Sequence, residues 1–176
     1  KASCSDFQSS EYFEKAFFGC DQLTTVDGGI TNSVTNMSSM FRETSNVVTD
    51  TSSWNTIAVT NMSFMFYNAG NAAPDTAGWD TVNVTNMSYM FAGTSTTNPD
   101  VSIWNVSNVE NFKAMFSAAN GANPDVSSWV TTSATDMSHM FRSIGSNPDV
   151  ASFDVSLVTD MSNMFRDAAS ANPDVS

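Results

Sequence analysis

The order of apolar and polar residues repeats along most of this chain. The phrase Val34-Thr-Asn-Met-Ser-Ser-Met-Phe41 returns at Val59, Val84, Val109, Ala134 and Val158, at steps of 25, 25, 25, 25 and 24 residues. Within one copy the periodicity changes. Val84-Thr85-Asn86 alternates apolar and polar with β-branched residues, which predicts a short strand stacking in parallel on the next copy at about 4.8 Å. Met87, Met90 and Phe91 follow at i, i+3 and i+4, which predicts a short helical turn with its apolar side inward. Asn86, or Asp136 and Asp160 in later copies, is placed to cap that turn. In Asn98-Pro99-Asp100-Val101-Ser102 the proline forbids helix and permits an extended edge, and Trp104 then closes the core. A fixed period of this length predicts a repeat solenoid, six copies over residues 34–176 with the last truncated.

The core columns follow from the register. Met37, Met62, Met87, Phe112, Met137 and Met161 form one, the methionines from Met40 to Met164 a second, and the phenylalanines from Phe41 to Phe165 a third. Trp54, Trp79, Trp104 and Trp129 with Phe153 complete the set. Columns that recur in every copy are core filler.

Residues 1–33 differ from the repeats and read as an N-terminal cap. Ser9 to Phe18 places Tyr12, Phe13, Ala16 and Phe17 at helical spacing, predicting a short amphipathic helix over the end of the first copy. Gly28-Gly29 breaks the chain after it. Both cysteines, Cys4 and Cys20, fall here. The expected state is a disulfide between them, worth about 3 kcal/mol in the loop-entropy model and implying an oxidising compartment; two thiols in a cytosolic cap are the alternative. The chain opens at Lys1 without Met, which suggests a processed protein or an excised fragment.

Charge narrows the function classes. Eighteen acids against six Lys and Arg give a net charge of −12, which disfavours nucleic acid and anionic bilayers as partners. No apolar run reaches the ~20 residues a membrane span needs. His139 is the only histidine and stands at a variable position without triad or zinc partners. With neither a phosphate loop nor a single carboxylate pair of glycosidase type, the chain reads as a non-enzyme.

Trp104-Asn-Val-Ser-Asn-Val-Glu-Asn-Phe-Lys-Ala-Met-Phe116 and its sister copies resemble the BspA-type leucine-rich repeats of bacterial surface proteins, which run close to W-D-V-S-N-V-T-N-M-S-x-M-F. The resemblance implies a leucine-rich-repeat-like right-handed coil with short parallel strands and short helical turns. It also implies an extracellular or cell-surface adhesin module that binds proteins or cells. Asn-Pro-Asp at 98–100, 123–125, 147–149 and 172–174 departs from that pattern, where the family usually has an aromatic before the Asn and a Gln after it.

Two exposed columns are candidates for chemistry. Asp50, Asp75, Asp100, Asp125, Asp149 and Asp174 form an acidic column without a gap. In register its carboxylates repeat every ~5 Å, so they either accept backbone amides in their own turns or hold Ca²⁺ in hard-oxygen sites. Thr35, Thr60, Thr85, Thr135 and Thr159, interrupted by Glu110, form a threonine row that is either ordinary strand chemistry or a binding face for a regular target. Two functions fit: an adhesive protein-interaction module, self-associating through its C-terminal coil with help from Ca²⁺, or a rigid structural spacer without its own ligand. The Asn-x-Ser/Thr sequons, such as Asn86, come with the repeat text and carry no glycan in a bacterial source.

Overall fold

The computed structural model describes residues 13–20, 23, 33–47 and 51–172. Each copy lies on the next with a constant register. The Met62 amide donates to the Asn86 carbonyl at 2.9 Å, Met87 to Asn111 at 3.0 Å, and Phe112 to Asp136 at 2.9 Å. The phenylalanines stack along this axis, with centroids 5.3 Å apart for Phe41 and Phe66 and 5.6 Å for Phe66 and Phe91. Trp54, Trp79 and Trp104 stack beside them at 6.0 Å. The indole of Trp104 donates to the Thr76 carbonyl at 3.1 Å and that of Trp129 to Val101 at 3.0 Å, so the buried N–H groups are satisfied between copies.

The local structure differs from the expectation. Among the described residues there is no helix and no extended strand. Asn36, Asn61, Asn86, Asn111, Asp136 and Asp160 form isolated parallel bridges, one residue per copy. The expected leucine-rich-repeat-like coil of parallel strands, helical turns and helical cap is therefore corrected to a stack of tight turns.

The hydrogen bonds give the reason. In residues 87–94 the amides of Met87, Tyr89, Phe91 and Gly93 donate to the next copy at Asn111, Lys113, Met115 and Ser117. Those of Met90, Ala92 and Thr94 turn back three residues, to Met87, Tyr89 and Phe91. An α-helix commits its amides to its own i−4 carbonyls and leaves none for a neighbour. Tyr89 at φ 58° and Gly93 at φ 73° also lie outside the right-handed helical region. The tight turns nevertheless bury Met87, Met90 and Phe91, the residues that mimicked a helical stripe.

The expected strands are replaced for a related reason. Asn86 accepts the Ser88 amide at 2.9 Å, Asp100 that of Ser102 at 3.1 Å, and Asn105 that of Ser107 at 3.1 Å. Each such Asx turn is followed by an i→i−3 bond, from Met90 to Met87, Trp104 to Val101 and Val109 to Val106. The unit is Asn or Asp, apolar, Ser, any residue, apolar. Its use of local bonds three times per copy leaves too little extended backbone for a ladder.

Of the expected N-terminal helix over Ser9 to Phe18, residues 13–18 are a further copy of the turn segment and residues 9–12 lie outside the described residues. The amides of Phe13, Lys15, Phe17 and Gly19 donate to Asn36, Ser38, Met40 and Arg42, and Lys15 and Gly19 take the same positive φ as Ser39 and Glu43. Cys20 is half-buried against the core, whereas Cys4 lies outside the described residues.

Candidate functional site

The stack has two chemically opposite flanks. The first is built by the tight-turn segments, where a residue in the left-handed region, such as Phe64 (φ 57°) or Tyr89 (φ 58°), stands between buried neighbours. Phe64 and Tyr89 stack at 4.7 Å and 7°, and Tyr67 meets Phe64 at 5.6 Å and Tyr89 at 6.1 Å. Arg42 lies across this group, its Cζ 5.0 Å from the Tyr67 ring centre, 5.4 Å from Phe18 and 5.6 Å from Phe64. Its Nε donates to Glu43 at 3.2 Å. Phe18 is exposed, and Arg42, Phe64, Tyr67 and Tyr89 are half-buried.

Every Lys and Arg among the described residues belongs to this flank: Lys15, Arg42, Lys113, Arg142 and Arg166. His139 joins them, its Nδ1 3.1 Å from the Ser162 carbonyl oxygen. Lys15, Arg42 and Arg166 pair with the adjacent Glu14, Glu43 and Asp167.

The second flank is the edge from the Asp column through Trp to the threonine row. Asp75, Asp100, Asp125 and Asp149 are exposed, and each accepts the amide two residues on, from Ala77, Ser102, Ser127 and Ala151. Asp50 and Asp174 lie outside the described residues. The hydroxyls of Ser102 and Ser127 add bonds of 2.7 Å to Asp100 and Asp125. These hydroxyl bonds first, then the same serines' amides, hold both carboxyls below the ordinary aspartate range. Repulsion from Asp100 is the weakest influence on Asp125, so the hydrogen bonds within its own turn outweigh its acidic neighbour. Among the described residues no three His, Cys, Asp or Glu side chains converge as a metal site.

The threonine row is exposed, and its hydroxyls serve the stack. Thr60 donates to the Thr35 carbonyl at 3.2 Å, Thr85 to Thr60 at 3.3 Å, Thr135 to Glu110 at 3.1 Å and Thr159 to Thr135 at 3.0 Å. Near Trp79 and Trp104 the same edge carries exposed Ile103 and Val130, which border two shallow grooves.

Sequence reasoning singled out the Asp and Thr columns and missed the Arg42 cluster. Its signal was present: Phe64 and Tyr89 occupy the variable position of the repeat, and Phe18, Arg42 and Tyr67 stand three residues after it. Only the stacking register shows that these positions are adjacent.

The sequence matches, over residues 7–76 and 70–176, the family described as Mycoplasma protein of unknown function, DUF285. That match gives a bacterial family and leaves the finer BspA-type assignment as a resemblance. No curated protein and no solved structure matches the chain.

Proposed function

We propose that this chain, which belongs to the Mycoplasma protein family of unknown function DUF285, is an extracellular adhesive module of a bacterial surface protein. Its binding surface is the turn flank around Arg42, and its ligand is a protein or another cell-surface molecule. The observation that carries this reading is Arg42 held across Phe18, Phe64 and Tyr67 on a face open to solvent. Tyr and Arg are enriched among residues that dominate interface energies, and a guanidinium already seated on rings loses little freedom on binding. The resemblance to BspA-type surface repeats supports the same class. A net charge of −12 points away from nucleic acid and anionic lipid.

The competing reading is a rigid spacer, favoured by the threonine and Asx bonds that tie one copy to the next. Beads coated with the chain and passed over an epithelial monolayer separate the two. An adhesive module retains beads above bare controls, and the Arg42→Ala/Tyr89→Ala variant lowers retention at least tenfold. A spacer gives no retention above bare beads, and equal retention by the variant would place the binding surface elsewhere.

A further inference from the structure

We infer that the turn flank of one copy of this chain docks side by side on the Asp edge of a second copy. The inference uses the same flank as the adhesive reading but does not depend on it, because it concerns the protein alone in solution.

Among the described residues the bases are segregated by the fold, with Glu14, Glu43 and Asp167 beside three of them on the same flank. Lys15, Arg42, Lys113, Arg142 and Arg166 all fall in turn segments, whereas the edge carries Asp75, Asp80, Asp100, Asp125, Asp149 and Asp154 and no Lys or Arg among the described residues. Nothing in a 25-residue repeat requires this; the bases occupy three different positions of the turn segment and still share one flank. The turn segments and the acidic edge both advance once per copy of the repeat, in the register that the bridges from Asn36 to Asp160 set. Two stacks laid side by side therefore set Lys113 and Arg142, which have no ion pair among the described residues, opposite acids, while the copies holding Phe64 and Tyr89 present rings and no base. A second copy carries its acidic edge at the same repeat spacing as the turn segments that would face it.

The apolar groups support the same occupant. Ile103 is 70% exposed and Val130 54% exposed on the acidic edge, at positions filled elsewhere by Gly78, Ser128, Asp80 and Asn105. The turn flank offers Phe64, Tyr67 and Tyr89. Exposed ion pairs contribute little each, so the charges set partner and register, and the aromatic and aliphatic contact supplies most of the affinity. The net charge of −12 opposes approach, but at physiological salt the screening length is about 8 Å, so the facing rows outweigh charges on the far sides. The contact is heterologous, and it extends into rows rather than closing as a symmetric pair.

A charge exchange tests this by sedimentation equilibrium at physiological salt, with thermal melts confirming that each variant is folded. The wild type is expected to show a mass that rises with concentration. One variant reverses the flank (Lys113→Glu, Arg142→Glu, Arg166→Glu) and another reverses the edge (Asp100→Lys, Asp125→Lys, Asp149→Lys). Each alone is expected to stay at the monomer mass, and an equal mixture to associate again, because the reversed flank of one now matches the reversed edge of the other. A wild type that is monomeric throughout, variants that associate like the wild type, or a mixture that stays monomeric would each overturn the inference. None of these outcomes depends on adhesion to cells.

Discussion

The ring of Phe17 lies flat on that of Phe41, with centroids 5.3 Å apart and planes 8° from parallel. This is the spacing and angle found between phenylalanines of successive repeats, so the segment before the first legible repeat already belongs to the stack. Phe17 is 2% exposed and its neighbour Phe18 is 45% exposed. Phe17→Ala is expected to lower stability by about 3 kcal/mol, the cost of emptying a core Phe site, and Phe18→Ala by less than about 1 kcal/mol. Urea unfolding followed by tryptophan fluorescence measures both. Similar small losses would show that the stack begins at Met37.

Met90 and Tyr89 adjoin in sequence and differ in environment. Met90 is fully buried in its column, and Tyr89 is half-buried at φ 58° on the turn flank. Met90→Asp places a carboxylate among apolar side chains and is expected to unfold the chain or cost several kcal/mol. Tyr89→Asp loses the Phe64 stack, about 1 kcal/mol, and Asp tolerates the left-handed region well. Melting temperatures within a few degrees of each other would contradict this assignment of inward and outward faces.

The period, the stacking order and the buried columns were legible because Met90, Phe91 and Trp104 recur at fixed positions and stay apolar; Met161, expected in the first methionine column, is instead exposed in the last described copy. The secondary structure was not. The spacing of Met87, Met90 and Phe91 is shared by a helical turn and by two consecutive tight turns, and apolar periodicity cannot separate them. What separates them is the destination of the Tyr89 amide, which goes to Lys113 in the next copy. A second signal was available in the chain. Asn86-Met-Ser, Asp100-Val-Ser and Asn105-Val-Ser have the same form, although the first also fits a helix cap and the second an extended edge. The described members of the Asp and Thr columns are exposed, but the bonds of Asp100 to Ser102 and of Thr85 to the Thr60 carbonyl depend on turn geometry and register that the sequence does not display.

Ala118 holds φ 54° without being glycine, at the position that Gly93 occupies one copy earlier. An L-residue with a Cβ in the left-handed region costs about 1 kcal/mol. Ala118→Gly is therefore expected to raise the unfolding midpoint, although Gly loses more backbone entropy on folding. The adjacent Ala119 has no positive φ and is fully buried. Ala119→Gly is expected to lower stability by about 1–2 kcal/mol through lost burial and added chain entropy. Shifts of the same sign in a denaturant series would mean that the strain at Ala118 is absent in solution.

Acid should loosen the Asx turns in a defined direction. The side-chain and backbone bonds of Ser102, Ser127 and Ser156 hold Asp100, Asp125 and Asp154 below the ordinary aspartate range, and the backbone bond of Ser162, then its hydroxyl, does the same for Asp160. A carboxyl whose folded pKa is depressed stabilises the fold fully above its unfolded value, about 3.9, and loses that contribution as pH falls through the lower folded value. Stability should accordingly be flat from neutrality to about pH 5 and decline below about pH 4. Ser102→Ala removes the largest contribution at Asp100, so carbon-detected NMR titration should find its pKa moved up toward the ordinary value. Asp100→Asn keeps an oxygen that accepts the Ser102 amide, as Asn105 does for Ser107, and should melt close to the wild type, whereas Asp100→Ala loses the turn and should melt lower. If Asp100→Asn melts as low as Asp100→Ala, and the loss follows removal of Ca²⁺ from the wild type, then the charge at this position serves a cation rather than the turn.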